Sequence, residues 1–368
     1  METCSVQSGL SFEQAYVSTS HADNPQISET ESMDAQAVGS LPVSVIIPAW
    51  NEEEMIGRCL ASLAGSCFPA NSFEVIVVDN GSTDRTLEIV HSFSSQLKLT
   101  ILQHPGVSIS ALRNMGAAAA KGDVFAFLDA DCSVPATWIE NAVLHLASES
   151  AGVIGGNIDI PEDSRWVARA WFKVGYAPRN GEVTYVPSGN MLMRRSTFVR
   201  IGGFNESVKT SEDCELCFRA REGGFTVQEV SEMAVTHWRT PQTMLQFYRR
   251  EVWHGANVAK VFFENFRAMT NVRAVAFAVY MLICCVGALA GFVFAVFLRQ
   301  YVILGLTVGA MFAGPCFCSI RKMSSVHGKK FWFNLIPLTL LHMTWGFARA
   351  KSLVSFEIFY PRAAPQKN

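Results

Sequence analysis

The chain has 368 residues, of which 49% are hydrophobic and only 17% charged, whereas an ordinary soluble domain carries about 25% charged residues. That length predicts two domains, or one large domain with an appendage, and the apolar excess excludes a chain that is disordered throughout. The net charge of −2 hides three unequal regions: residues 1–41 hold six acids and no Lys or Arg, residues 42–238 hold 23 acids against 15 bases, and residues 239–368 hold 15 bases against three acids. A basic block beside long apolar runs points to a membrane partner and away from nucleic acid.

Residues 1–41 are rich in Ser, Thr, Gln and Glu and read as a disordered tail; they lack the basic start and apolar core of a signal peptide. From Pro42 the texture changes. Strands are predicted at Val43–Pro48, Phe73–Val78, Leu99–Gln103 and Val124–Leu128, and helices at Glu52–Ala64, Asp84–Phe93 and Ser110–Ala120. The second and fourth strands are almost wholly apolar, as parallel strands covered on both faces must be. This alternation is the signature of a mostly parallel α/β sheet, which binds ligands outside the carboxyl ends of its strands. This α/β domain over 42–238 is followed by an amphipathic interfacial segment over 239–273, with Phe247, Trp253, Phe262, Phe263 and Phe266 expected to insert and Arg and Lys to meet headgroups. Then come uncharged runs at Ala274–Leu298, Tyr301–Ile320 and Phe331–Ala348. About 20 apolar residues cross a bilayer, so the first two are predicted to span. The third, interrupted by Asn334, Pro337 and His342, is either a span or a re-entrant helix, and residues 351–368 form a tail. Four Lys or Arg in Arg321–Lys330 predict that this loop, and with it the N-terminal domain, faces the cytoplasm.

The chemistry sits just after the strands. The first strand runs into Pro48-Ala49-Trp50-Asn51-Glu52, the second into Asp79-Asn80-Gly81-Ser82-Thr83-Asp84, and the fourth into Asp129-Ala130-Asp131. Carboxylates directly after an apolar strand must be solvated, paired or bound to a cation, and two of them two residues apart can reach a hard divalent ion that in turn holds phosphate oxygens. Cys214 and Cys217 have CxxC spacing but supply only half a tetrahedral site. Gly155-Gly156-Asn157 and Gly223-Gly224 read as turns.

These motifs, in this order over roughly residues 42–255, resemble the inverting family 2 glycosyltransferases of GT-A fold, membrane-attached by C-terminal helices. The resemblance implies a nucleotide-sugar donor held by Pro48, Ala49, Asn51, Glu52, Asp79, Asn80, Ser82, Arg113, Asp129 and Ala130, with Asp79 facing the base. It implies Mn2+ or Mg2+ on Asp129 and Asp131, with His237 either approaching the metal or serving as an ordinary buried histidine. Ser188, Gly189 and Asn190 would line the sugar and acceptor site, and Glu212-Asp213 would supply the catalytic base, Asp213, with Glu212 beside it. Gln246-x-x-Arg249 is similar to a Gln-x-x-Arg-Trp motif of processive members, but Trp253 stands three residues late. Arg249, Arg250 and Trp253 therefore belong either to a pyrophosphate and acceptor clamp or to an interfacial helix. Trp166, Trp171 and Tyr176 suit either acceptor stacking or core packing. The expected partners are a nucleotide sugar, a lipid-linked or saccharide acceptor and a membrane. The competing readings are a non-catalytic membrane scaffold and a nucleotidyltransferase.

Overall fold

The computed structural model describes residues 43–147, 151–174, 180–208, 210–255, 258, 262, 272–299, 301–324 and 328–354. The expected tail over 1–41, most of the 351–368 segment, and Tyr176, Phe263 and Phe266 lie outside the described residues.

Strands β1 (Val43–Ala49), β2 (Phe73–Asp79) and β3 (Leu99–Gln103) alternate with helices α1 (Ile56–Ala64), α2 (Thr86–Ser92) and α3 (Ile109–Ala119), leading to β4 (Val124–Leu128). The four predicted strands thus form where the apolar runs lie. The first helix starts later than its pattern suggested because Glu52–Met55 fold into a turn, in which Met55 N and Ile56 N donate to Glu52 O. Thereafter α1 buries Ile56, Cys59, Leu60 and Leu63, the spacing of one helical face. Helix α3 opens at Ser108, whose hydroxyl caps Ala111 N at 3.2 Å.

The chain continues through β5 (Cys132–Ser133), α4 (Trp138–Leu146), β6 (Ala151–Gly155), β7 (Ile158–Asp159), α5 (Trp166–Ala168, extended by a π turn over Arg169–Lys173), β8 (Gly181–Glu182), β9 (Asn190–Arg194), α6 (Arg195–Arg200), α7 (Glu212–Glu222), β10 (Thr226–Glu229) and β11 (Val235–His237). The large sheet has the order β3-β2-β1-β4-β9-β6-β10-β8, and a small sheet has the order β5-β11-β7. The pairs β3-β2, β2-β1, β1-β4 and β6-β10 are parallel, whereas β9 is antiparallel to both its neighbours.

Successive residues of the central strands serve opposite faces. Val45, Ile47, Val75, Val77, Ala126 and Leu128 pack under α1, α2 and α4. Ile46, Ile76, Val78, Phe125 and Phe127 pack under α3, α6 and α7. The chain builds outward from β1 to β3, then returns to the other side of β1 for β4. That reversal is the switch point at which such sheets open a crevice at the carboxyl ends of their strands, here between Ala49 and Leu128.

Helix α8 (Met244–Gly255) follows, and then α9 (Val272–Leu298), α10 (Val302–Lys322) and α11 (Lys329–Val354). Among the described residues α9 and α10 are the two helices long and apolar enough to cross a membrane, by length and composition. Helix α11 is different in kind. Its Leu338 and Leu341 join Val167, Ala170, Phe247 and Met323 in a separate apolar cluster, and Trp171 stands 4.9 Å from the Phe247 ring and 5.2 Å from that of His342. This corrects the expectation that Phe247 inserts into a bilayer: it is fully buried, because α5 and α11 close over its side of α8. It also resolves Trp171 in favour of packing. Trp253 and Trp166 remain more than 40% exposed.

Helix α3 lies close on the sheet at Gly116, where an added Cβ would collide with Ile46 and press on Val78. Gly116→Val is expected to cost about 1–3 kcal/mol as an overpacked contact, read as a lowered thermal unfolding midpoint.

Candidate active site

Two adjacent strand ends build one wall of the crevice. Asp79 closes β2 at 1% exposure, and its Oδ2 accepts from Gly81 N at 2.9 Å and Ser82 N at 3.0 Å. This turn needs the left-handed backbone of Gly81, φ +81°. The other oxygen, Oδ1, is buried and has no partner among the described residues. The β1 loop is stitched to this turn: Asn51 Oδ1 accepts from Thr83 N at 2.8 Å, Asn51 N donates to Ser82 Oγ at 2.9 Å, and Glu52 N donates to Thr86 Oγ1 at 2.7 Å. Asn80 turns away to hold Val107 through both its amide atoms at 3.2 Å. Asn51, Glu52, Asp79 and Ser82 are therefore one hydrogen-bonded unit, with Pro48 and Ala49 buried in the strand beneath it.

Opposite this wall, Asp129, Ala130 and Asp131 follow β4. Arg113, 1% exposed on α3, reaches Asp129 Oδ1 at 2.7 Å and Glu212 Oε1 at 3.0 Å. Ser188 Oγ donates to the same Glu212 oxygen at 2.9 Å. One guanidinium thus ties the end of β4 to the start of α7. Gly189 is required alongside, since a Cβ there would collide with the Asp129 carboxylate. Asn190, expected to line the acceptor site, is instead fully buried: it accepts from Trp138 Nε1 at 2.9 Å and donates to Met233 O at 2.7 Å. Its amide pins β9 to α4 and the loop before β11, so nothing is left of it to meet a ligand.

Asp213 is the free member of its pair. It is half-buried, its Oδ1 accepts from Cys214 N at 2.7 Å, and burial, then the Glu212 carboxylate, push its carboxyl up to about 7. The preceding Ser211 has a left-handed backbone, φ 67°, a conformation that costs a non-glycine residue free energy and that turns the chain abruptly into α7.

The centre of the crevice is short of cations. Glu52 is pushed up to about 7 by burial, against the lowering effect of Arg239, with Asp131 and Asp129 adding to the rise. Arg239 grips both Glu52 oxygens at 3.1 Å. Asp131 is likewise raised, first by burial, with Asp129 adding to it and His237 opposing. His237 Nε2 lies 3.4 Å from Asp131 Oδ2, and its Nδ1 is buried without a partner among the described residues. Ligand atoms of Asp131, Cys132 and His237 all lie within 4.8 Å of one another. Buried, like-charged carboxylates beside an unsatisfied imidazole fit a divalent cation.

Helix α8 supplies the far rim, and its two arginines part company there. Arg249 is exposed. Arg250 lies against the Phe172 ring, 5.0 Å from its centroid, donates from Nε to His254 Nε2 at 3.2 Å, and keeps Nη1 buried without a partner among the described residues. His254 is driven down to about 3 by burial and then by Arg250, Arg349 and His237, so it stays a neutral acceptor. Trp253 packs edge-on against His254 at 4.9 Å. Beneath them Arg349 of α11 donates to Glu251 O at 2.6 Å and Oε2 at 2.9 Å. His254, Arg349, Arg239 and Cys132 were not singled out by sequence. The four-residue step from Arg250 to His254 was visible as a shared helix face, but Arg349 and Arg239 reach their partners from 98 and 187 residues away.

A Glycosyl transferase family 2 model matches residues 44–202, and a Glycosyl transferase family group 2 model matches residues 124–345, which is more than half of the chain. This chain belongs to glycosyl transferase family 2. It is similar to Glycosyltransferase AglE of Haloferax volcanii, 30% identical over 210 residues that cover 54% of this chain and 67% of AglE. It is also similar to Probable glycosyltransferase YdaM of Bacillus subtilis, 29% identical over 58% of this chain and 55% of YdaM, and to the Pre-mycofactocin glycosyltransferase of Mycobacterium tuberculosis, 29% identical over 59% of this chain and 47% of the relative. The family 2 region thus spans about half to two thirds of these relatives' lengths. In fold, the chain resembles Mannosyltransferase PcManGT from Pyrobaculum calidifontis, solved with GDP-Man and Mn2+, with a TM-score of 0.54 over 88% of both chains at 17% identity. The α/β domain is therefore GT-A-like, and C-terminal helices follow it.

Arg113→Met would leave the Asp129 and Glu212 carboxylates facing each other without their shared cation. A broken buried pair costs about 3–5 kcal/mol, and since Asp129 is 30% exposed the lower end is expected, measured as a fall in the unfolding midpoint.

Proposed function

We propose that this family 2 member transfers a sugar, with inversion, from a nucleotide-diphosphate donor to a hydroxyl of a lipid-linked saccharide, glycolipid or surface polysaccharide. The observation that carries this reading is the Asp213 carboxyl, half-buried, raised to about 7 and linked through Glu212, Arg113 and Asp129 to a cation-poor well. A base of that pKa is matched to taking the proton of an attacking hydroxyl near neutral pH. Glu212, held by Arg113 and Ser188, orients the start of α7 and, as a neighbouring anion, keeps Asp213 basic.

Asp79 serves the nucleotide. Its unpartnered Oδ1 is an acceptor for the imide N–H of uracil, which favours a UDP-sugar. Asn51, Glu52 and Ser82 hold that loop in shape, and Asp129, Asp131 and His237 would hold Mn2+ or Mg2+. Such a cation, when bound, neutralises diphosphate charge as the glycosidic bond breaks. Arg250, whose free Nη1 belongs to a guanidinium propped by neutral His254, would bind the departing diphosphate through charge-assisted hydrogen bonds. Ser188 and Gly189 line the approach between Asp129 and Glu212. Residues 42–238 act as the catalytic domain. The apolar α9–α10 hairpin and the basic Arg321–Lys330 loop support attachment with the crevice at the cytoplasmic membrane face.

Asp213→Asn is expected to lower kcat by about 10²–10⁴ while leaving UDP-sugar affinity within a few-fold, measured by radiolabelled sugar transfer and by calorimetry. Near-normal turnover would remove Asp213 from its role. The sign of the pH dependence follows from the raised carboxyl: below about 7 it is protonated and cannot accept a proton, so kcat falls about tenfold per pH unit on the acid side and levels above it. Arg250→Ala is expected to reduce kcat more than it raises KM for the donor, since the departing diphosphate gains charge in the transition state. Chelation should abolish transfer, and Mn2+ or Mg2+ should restore it.

A further inference from the structure

We infer that Lys322, the last residue of α10, is a positioning residue for Arg250, so that the apolar hairpin completes the diphosphate side of the site. The inference rests on the proposed role of Arg250 and goes beyond it. Composition alone makes α9 and α10 an attachment; the contacts of Lys322 make them part of the transfer machinery.

A basic residue that closes a membrane-crossing helix ordinarily snorkels, laying its stem along apolar surface and its charge among headgroups. Arg321 is exposed in that way. Lys322 turns inward instead. Its Nζ lies over the Trp171 ring, 4.6 Å from the centroid, and donates to Trp171 O, 151 residues earlier in the chain. Among the described residues no carboxylate pairs with it. The carbonyl it meets needs a donor. Helix α5 ends in the π turn Arg169–Lys173, and Val174 is already extended, so no further helical turn satisfies the last carbonyls of this run. A cation there also meets the negative end of the helix dipole. An end of the α/β domain's own helix is thus finished by a residue of the hairpin.

That same helix end supports Arg250. Two adjacent residues of the π turn touch α8 at points one helical turn apart: the Trp171 ring stands 4.9 Å from that of Phe247, and the Arg250 guanidinium lies 5.0 Å from the Phe172 centroid. The last turn of α10 is seated beneath them. Met323 is fully buried with Phe247, Leu338 and Leu341. Ser319 Oγ lies 2.9 Å from His342 Nδ1, and the His342 ring is 5.2 Å from that of Trp171. Above, Arg250 is steadied by His254 Nε2 at 3.2 Å, while its Nη1 is buried without a partner among the described residues. A guanidinium held by one imidazole and one ring face takes its direction from both. Releasing Trp171 O frees the end of α5, moves the Phe172 face, and with it the direction of Nη1.

The test uses the full chain in detergent micelles with Mn2+, with UDP and UMP as probes and no acceptor. Lys322→Met keeps the stem and removes the donor; it is expected to weaken UDP binding about 2–30-fold and leave binding of UMP, which lacks the second phosphate, unchanged. Arg321→Gln, which removes the neighbouring exposed charge, should change neither. In an Arg250→Ala chain, Lys322→Met should have no further effect on UDP, because residues that act through one contact are not additive. Hydrogen exchange over residues 166–174 and 244–255 should rise in Lys322→Met. Additive losses of UDP affinity overturn the proposal, and so does unchanged exchange in both segments. An Arg250→Ala chain that binds UDP normally withdraws the diphosphate reading instead, and exchange then decides the positioning by itself. Should Lys322→Met fail to fold, unchanged UDP affinity in Phe172→Leu, which removes only the aromatic face against Arg250, overturns it equally.

Discussion

Arg113 is the point on which the crevice depends. A guanidinium buried to 1% exposure cannot be left unpaired, because the desolvation of an isolated buried charge far exceeds what packing can return. It is matched by two carboxylates from distant parts of the chain, Asp129 after β4 and Glu212 at the head of α7, the latter 99 residues on. The match fixes the relative position of the β4 strand end, with its candidate cation ligands, and the candidate base. Ser188 completes the Glu212 oxygen, and Gly189 lets the loop approach Asp129 without a Cβ in the way. The geometry of the candidate site is thus set by one cation inside the domain, before any ligand arrives.

That cation is not enough to balance the crevice. Glu52, Asp129 and Asp131 converge, Arg239 and His237 compensate in part, and burial first, with the neighbouring carboxylates adding to it, raises the Glu52 and Asp131 carboxyls. The same burial that makes this charge costly also makes it selective: a divalent ion or a proton must supply what the protein does not. Asp213 answers to the same physics from the other side of Arg113. Burial, and then its proximity to Glu212, raise it toward neutrality against the hydrogen bonding of Cys214. Two classes of carboxylate, one tethered and one free, follow from which of them the arginine reaches.

The C-terminal helices are more than an attachment. Helix α11 buries Leu338 and Leu341 with Phe247, and Arg349 binds Glu251 by side chain and backbone at once. Glu251 neighbours Arg250 on α8, so the helix that presents Arg250 and His254 to the crevice is braced from below by the last helix of the chain. Coupling of this kind gives a physical route by which the apolar helices α9 and α10, packed beside α11, hold the rim of the candidate site in place.

Much of this was legible in the sequence, because the residues concerned act through local rules. Continuous apolar runs marked the parallel strands, the three- and four-residue spacing marked α1, and the polar residues placed directly after β1, β2 and β4 marked the crevice, since a parallel sheet opens there whatever its details. Family 2 membership was carried by the same ordered motifs. What the tertiary structure decided concerns partners that sequence separation conceals. Arg113, read as a donor contact, spends its guanidinium on Asp129 and Glu212. Asn190, read as an acceptor contact, is consumed by Trp138 and Met233. Phe247, read as a bilayer anchor, is enclosed by α5 and α11, and Arg250 rather than Arg249 faces inward. Sequence pattern reports which side of a strand or helix is apolar, but a buried polar side chain takes its meaning from the group that satisfies it, and that group is chosen only when the chain closes on itself.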